Sequence, residues 1–228
     1  MQLFYQPNFV EPFTLDADDS RHCVKVLRKQ NGDKIHVVDG KGGLFHCEII
    51  DANTKSCSLE VLEKTLEWNK SKRYIHIAIA PTKNIDRITY FVEKAVEIGI
   101  NEISFILCKN SERKVVKTDR IERIAVSAMK QSLKAYIPKI NELESLKSFI
   151  AGVESEQCLV AHLSEDSNSL MATSLNENVL LLIGPEGDFD PAELVMLNEA
   201  GYKQVTMGES RLRTETAGLV GVTLLNLM

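Results

Sequence analysis

Val179-Leu180-Leu181-Leu182-Ile183-Gly184-Pro185-Glu186-Gly187-Asp188 is the stretch whose reading decides the fold. Its unbroken apolar run suits a strand buried on both faces of a parallel sheet, where no polar alternation is required. The run stops at Gly184. Asp190, Pro191 and Glu193 then predict a helix N-cap, a first-turn proline and a capping-box carboxylate. Gly201 predicts the left-handed cap at that helix's end. A second short strand, Lys203 to Met207, leads into Gly208-Glu209-Ser210-Arg211-Leu212-Arg213-Thr214-Glu215-Thr216 and a final apolar helix with Thr214 as its expected N-cap. Two strand ends thus open into polar, glycine-bearing loops that lead into helices. In open α/β sheets ligands bind outside the carboxyl ends of strands, and glycine there lets backbone approach the ligand closely. The candidate pocket is placed at these two loops.

Working outward, the preceding hundred residues alternate between strand and helix. Ile75 to Ala80 reads as a strand broken by Pro81. Ile88, Phe91, Val92, Ala95 and Val96 share one helical face closed by Gly99. Ile103 to Leu107 is a further strand, Ile121 to Ser132 an amphipathic helix ending before Pro138, and Leu159 to Leu163 another strand. This alternation predicts a parallel sheet with helices on its faces. Residues 1–70 read differently. Leu3 to Tyr5, Ile35 to Val38, Leu44 to Ile50 and the alternating Cys57, Leu59 and Val61 are strands, with turns at Asn31-Gly32-Asp33 and Lys41-Gly42-Gly43 and one short helix over Asp18 to Lys29. Short strands with tight turns suggest a small barrel. Polar, aperiodic Lys64 to Ser71 sets the expected boundary, giving domains 1–70 and 71–228.

The chain has 228 residues and a formal charge of −5, so no global field draws it to nucleic acid. Locally the balance differs. Residues 109 to 139 hold nine Lys or Arg against three acids, a difference of +6. Arg113 and Arg123 within this segment, with Gln131 as a neutral donor, are candidates for contact with RNA phosphates and bases. His22, Lys25 and Arg28 form a second basic cluster near the first helix. Five cysteines without a Cys-x-x-Cys pair point to a reducing compartment and support no zinc motif. Five scattered histidines offer no metal-ligand spacing, so no metal is expected. There is no Gly-x-Gly-x-x-Gly fingerprint after a strand, no phosphate-binding glycine loop with Lys-Ser/Thr, and no nucleophile elbow. With no apolar run near the roughly 18 residues of a membrane span and no secretory start, the expectation is a soluble cytoplasmic protein.

Ile183 to Gly187, Met207-Gly208 and Leu212-Arg213-Thr214-Glu215-Thr216-Ala217 together resemble the C-terminal signature of the RsmE family. Further matches are His22 with Val26-Leu27-Arg28, Lys83 to Arg87, and Gln131-Ser132 with Pro138. That family belongs to the SPOUT superfamily of knotted methyltransferases and methylates N3 of a uridine in 16S ribosomal RNA of the small ribosomal subunit. The resemblance implies a SPOUT-type α/β domain with a C-terminal trefoil knot, preceded by a PUA-like RNA-binding barrel. It also implies a homodimer formed through the C-terminal domain and S-adenosylmethionine as cofactor. On this reading the cofactor is held by Leu182, Ile183, Gly184, Pro185, Gly187, Met207, Gly208, Leu212, Thr214 and Thr216. Arg213 stabilises the uracil anion or its phosphate, while Glu186 and Glu215 orient groups or accept a proton. His22, Lys25, Arg28, Lys83, Arg113, Arg123 and Gln131 contact RNA. The chain departs from the pattern at Asp188, where the family usually has a second glycine. Two other functions fit the same residues: methylation at another RNA position (a ribose 2′-oxygen or a tRNA base), and non-enzymatic RNA binding in ribosome assembly.

Overall fold

The computed structural model describes residues 2–164 and 167–228. The chain divides into two compact units. One comprises the residues up to Lys70 together with Val126–Ile137, the other Ser71–Ala125 and Pro138–Met228.

The first unit is built on a four-stranded sheet of β1 (Leu3–Tyr5), β2 (Lys34–Val38), β3 (Leu44–Asp51) and β4 (Ser58–Thr65), in that order. β1 pairs parallel to β2, and the other pairs are antiparallel. Beside β4, the Leu15 amide donates to Cys57 O at 3.0 Å, next to an isolated antiparallel bridge of Thr14 with Ser58. Period-two alternation buries Ile35 and Val37, Phe45, Cys47 and Ile49, then Cys57 and Leu59, on one side with Phe4, Phe9, Leu15 and Cys23. Three of the five cysteines therefore serve as small core residues. The expected helix over 18–29 is shorter: α1 (Ala17–Arg21), capped by Asp16, continues as a π-helical turn over His22–Val26. Arg28 then takes a left-handed φ of 56°.

The second unit carries a seven-stranded sheet with every pair parallel. Its strands are β5 (Tyr74–Ile79), β6 (Glu102–Leu107), β7 (Lys139–Ser145), β8 (Gln157–Ala161), β9 (Asn168–Ser169), β10 (Asn178–Ile183) and β11 (Lys203–Thr206), ordered β7-β6-β5-β10-β8-β11-β9. The apolar run 179–183 is the buried centre, paired with β5 on one side and β8 on the other. Helix α2 (Ile85–Ile98) buries the predicted face and ends at Gly99, whose φ is +132°. α3 (Thr118–Gln131) and α5 (Pro191–Glu199) follow the sequence pattern, and α5 has the full Asp190–Glu193 capping box. β7 and α4 (Leu146–Gly152) are absent from the sequence reading. β7 is Lys-Ile-Asn-Glu-Leu-Glu-Ser, an edge strand with no apolar run to mark it.

The last helix, α6 (Thr214–Leu227), corrects the expected cap. Its N-cap is Arg213, without a side-chain capping bond, and Thr214 is already helical. Its glycines face side chains rather than another backbone. A Cβ on Gly218 would lie 2.7 Å from the Phe91 ring, and one on Gly221 would lie 2.6 Å from Leu181 Cδ2. No helix among the described residues is long and apolar enough to cross a membrane.

Candidate active site

Three strands, not two, end at the pocket. β8 lies between β10 and β11, so the carboxyl ends of all three open onto one cavity of about 390 Å³. That volume falls in the range of roughly 300–1,000 Å³ usual for small-molecule sites. Of the expected cofactor residues, Ile183, Gly184, Pro185, Met207, Gly208, Leu212 and Thr214 line it. Leu182 does not, because strand alternation turns its side chain into the apolar cluster of Ala78, Val160 and Phe189. Gly187 lies against Asn110, and Thr216 is exposed on α6, so neither lines the cavity.

The loop after β10 is held from several directions. Asn110 Nδ2 donates to the carbonyls of Gly187 (3.2 Å) and Asp188 (3.0 Å). Lys109 donates its amide to Glu193 Oε1 (2.8 Å) and its Nζ to Asp190 Oδ2 (2.6 Å). Thr214 Oγ1 donates to Gly184 O at 3.1 Å, tying the start of α6 to the end of β10. Gly184 is needed for local packing, since a Cβ there would sit 3.0 Å from the Phe189 ring. Gly208 has open space around it and a φ of +132°, so its demand is conformational. Asp188 has φ +62°, a left-handed conformation that glycine would adopt without strain. Aspartate tolerates that conformation better than most residues, and here Asp188 Oδ1 also accepts from Phe189 N at 2.8 Å.

Among the expected catalytic side chains, Arg213 and Glu186 line the cavity. Glu186 Oε1 accepts from Lys83 N at 3.0 Å, while its Oε2 is buried without a partner. Glu215 stands one step back. It is buried, lies 3.7 Å from Arg87 Nε, and also keeps an unpartnered Oε2. Arg87 itself lines the cavity, as do His162, Asp188 and Arg211. Asp188 and Arg211 belong to the two loops where the sequence reading placed the pocket, whereas Arg87 and His162 were not assigned to it. Arg87 sits in a motif stretch and His162 in a predicted strand, and only the tertiary structure brings them here.

The residues expected to contact RNA divide between the two units. Arg113 Nε donates to Thr82 O (3.0 Å) and its Nη2 to Lys83 O, so this guanidinium fixes a loop. Lys109, Arg120, Lys130 and Lys139 pair with Asp190, Asp86, Asp19 and Glu102. The +6 segment is thus largely neutralised by acids from elsewhere in the chain, and its residues divide between the two units. Arg123, Gln131, Lys25 and Arg28 are exposed, and Lys83 pairs with Glu112 at 2.8 Å. His22 is half-buried, with its ring 6.2 Å from that of Phe4.

Residues 69–226 match the model of an RNA methyltransferase domain family, and residues 15–62 that of an RNA methyltransferase PUA domain. The chain is similar to a probable rRNA-methyltransferase from Porphyromonas gingivalis, with 40% identity, coverage of 100% of this chain and 98% of that one, and a TM-score of 0.93. It is 30% identical to Ribosomal RNA small subunit methyltransferase E 2 of Borreliella burgdorferi over 89% of this chain and 85% of the relative. Its fold is also shared with Ribosomal RNA small subunit methyltransferase E from Neisseria gonorrhoeae, a structure bound to S-adenosyl methionine. There the identity is 24%, the coverage 100% and 97%, and the TM-score 0.90.

Proposed function

The chain belongs to the RsmE family of RNA methyltransferases, and on that premise we propose that it methylates N3 of a uridine in 16S ribosomal RNA, with S-adenosylmethionine as donor. The observation that carries this reading is the cavity where β8, β10 and β11 end, walled by glycine-bearing loops, arginines and carboxylates. Its fit to the donor is supported by volume, by open space beside Gly208, and by the unpartnered Oε2 of the lining Glu186. When bound, the sulfonium supplies a methyl group that is already electrophilic.

The remaining chemistry belongs to the chain. Uracil N3 carries a proton that must leave as the N–C bond forms, so the site needs an acceptor and a cation for the developing anion. Glu186, on the cavity wall with Oε2 unpartnered, accepts the proton. Arg213, at the N-cap of α6, offers its guanidinium to the anion spread over N3 and the two ring carbonyls. Glu215 acts through Arg87, holding that guanidinium against the wall. Orienting both substrates contributes on the order of 7–11 kcal/mol to such bimolecular reactions. The uracil is presented unpaired, because N3 is inaccessible in a duplex.

We further propose that residues 1–70 form the PUA-like RNA-binding domain and 71–228 the methyltransferase domain. His22, Lys25, Arg28 and Gln131 in the first unit, and Lys83 and Arg123 in the second, are the RNA contacts on this reading. Arg113 in the second unit belongs with them: Nε and Nη2 each donate to a backbone carbonyl, and the remaining guanidinium donors are left for a phosphate. A trefoil knot and a homodimer through the C-terminal domain complete the proposal. β10 follows β8 in sequence yet lies between β5 and β8, and α6 returns from β11 to pack on β5 and β10. Half-exposed Leu219, Val220 and Leu224 leave an apolar stripe on α6 for a second copy. A cytoplasmic location follows from the ribosomal substrate.

The deciding experiment is nucleoside analysis of 16S rRNA from cells with and without the gene. 3-Methyluridine should disappear with the gene and return with the wild-type chain. Its persistence, or loss of a ribose-methylated nucleoside instead, overturns the assignment.

A further inference from the structure

We propose that Asp188 is a cofactor-recognition residue whose carboxylate takes the α-ammonium of the donor's methionyl group. This rests on reading the cavity as the S-adenosylmethionine site. Asp188 lines that cavity and its placement is specific.

The charged lining of the cavity is unbalanced. Arg87, Arg211 and Arg213 contribute cations, and Glu186 and Asp188 are the two lining carboxylates. Glu186 is assigned to the uracil proton on the reading above, and its Oε1 already accepts the Lys83 amide. Asp188 is different, with a side chain 49% exposed. The ligand brings a carboxylate, which the arginines suit, and an ammonium, which they would repel. An ammonium lodged in this wall therefore needs a carboxylate beside it, and Asp188 is the one with acceptor sites to spare.

The carboxylate is also held in place. Its backbone carbonyl accepts from Asn110 Nδ2 at 3.0 Å, and Oδ1 accepts from Phe189 N at 2.8 Å. Nδ1 of His162, another lining residue only 18% exposed, is hydrogen-bonded to Oδ1 at 3.4 Å and lies 3.2 Å from Oδ2. An ionised carboxylate can only accept, so the shared hydrogen sits on Nδ1. These contacts use part of the roughly four acceptor positions of a carboxylate and leave the rest facing open space. A fixed, half-exposed acceptor held by an imidazole costs little to reorganise when a cation arrives.

Calorimetry on the whole chain tests this with three ligands. S-adenosylmethionine has both ammonium and sulfonium, S-adenosylhomocysteine has the ammonium alone, and 5′-methylthioadenosine has neither. Asp188→Asn should weaken the first two by at least about fivefold, the scale of one charge-assisted hydrogen bond, and leave the third within about twofold. Asp188→Gly should do the same, because glycine adopts this φ without strain. Equal weakening of all three ligands would assign Asp188 to loop geometry and overturn the proposal, as would unchanged binding of all three. Loss confined to S-adenosylmethionine would move the carboxylate to the sulfonium and overturn it as well. If the wild-type chain binds none of the three, the cofactor reading itself falls and takes the proposal with it.

Discussion

The two ends of the parallel sheet treat polar groups in opposite ways. At the amino end, His76, Glu102, Ser104, Asn141, Tyr74 and Lys139 form a closed network. His76 Nε2 and Asn141 Nδ2 each meet Ser104 Oγ at 2.8 Å. Glu102 accepts from Tyr74 (2.7 Å), Lys139 (2.9 Å) and Asn141 (2.6 Å). At the carboxyl end, Glu186 and Glu215 each keep a buried oxygen with no partner, beside arginines that line a cavity. Buried polar groups that satisfy one another stabilise a fold; buried groups left over are costly and need another reason to persist. The amino end therefore reads as scaffold and the carboxyl end as site.

The most direct test of that contrast is Glu102→Ala. Lys139 and Tyr74 can turn to water when the carboxylate is removed, but the half-buried Asn141 amide loses its charged acceptor, at a cost of about 1.5–3 kcal/mol. Urea unfolding should show that loss while S-adenosylmethionine affinity stays unchanged in the folded protein. A drop in affinity without a drop in stability would reverse the roles of the two ends.

Acid should act on the same end. Burial drives the His76 imidazole down from 6.5 to about 4; the Glu102 charge opposes this shift and Lys139 adds to it. Burial pushes Glu102 up, but hydrogen bonds from Tyr74 and Lys139, the His76 charge and Asn141 outweigh it and hold the carboxyl at about 2 instead of 4.5. Both groups take up protons less readily in the native state than in the unfolded chain. Stability is therefore full above about pH 6.5, falls toward pH 4 through His76, and falls again between about 4.5 and 2 through Glu102. The His76 step is on the order of 3 kcal/mol. Denaturation midpoints from pH 8 to 4 should trace it, and His76→Gln should flatten the slope; an unchanged slope would exclude His76 as its source.

Arg213→Ala probes the other end. Single-turnover methylation should slow at least about tenfold, or roughly 1.4 kcal/mol, with melting temperature and cofactor affinity nearly unchanged. A normal rate would make Arg213 a structural residue. Gly208→Ala should have the smallest effect, about 1 kcal/mol from forcing a side chain onto a φ of +132°. It should appear as weaker cofactor binding, since nothing crowds the added methyl group. Loss of global stability beyond that amount would show that this loop also belongs to the scaffold.

Much of the site was legible in advance because its signals are local. The apolar run 179–183, the Asp190–Glu193 capping box and Gly201 depend on neighbours within a few residues, and the structure has them as read. β7 was invisible because an edge strand needs no apolar pattern. The bonds of Arg113 to the carbonyls of residues 82 and 83 were invisible because such a guanidinium looks, in sequence, like any other cation in a basic run.

What the sequence by itself determined was the class of fold and the two loops of the pocket, since propensities, caps and glycine conformations act over one or two turns of chain. Tertiary structure alone decided that β8 enters between β10 and β11, that Arg87 meets Glu215, and that His162 meets Asp188. Those choices join residues tens to more than a hundred positions apart. They are set by which strands bury each other's apolar faces and which charges are left to pair, and no short window of sequence contains both partners.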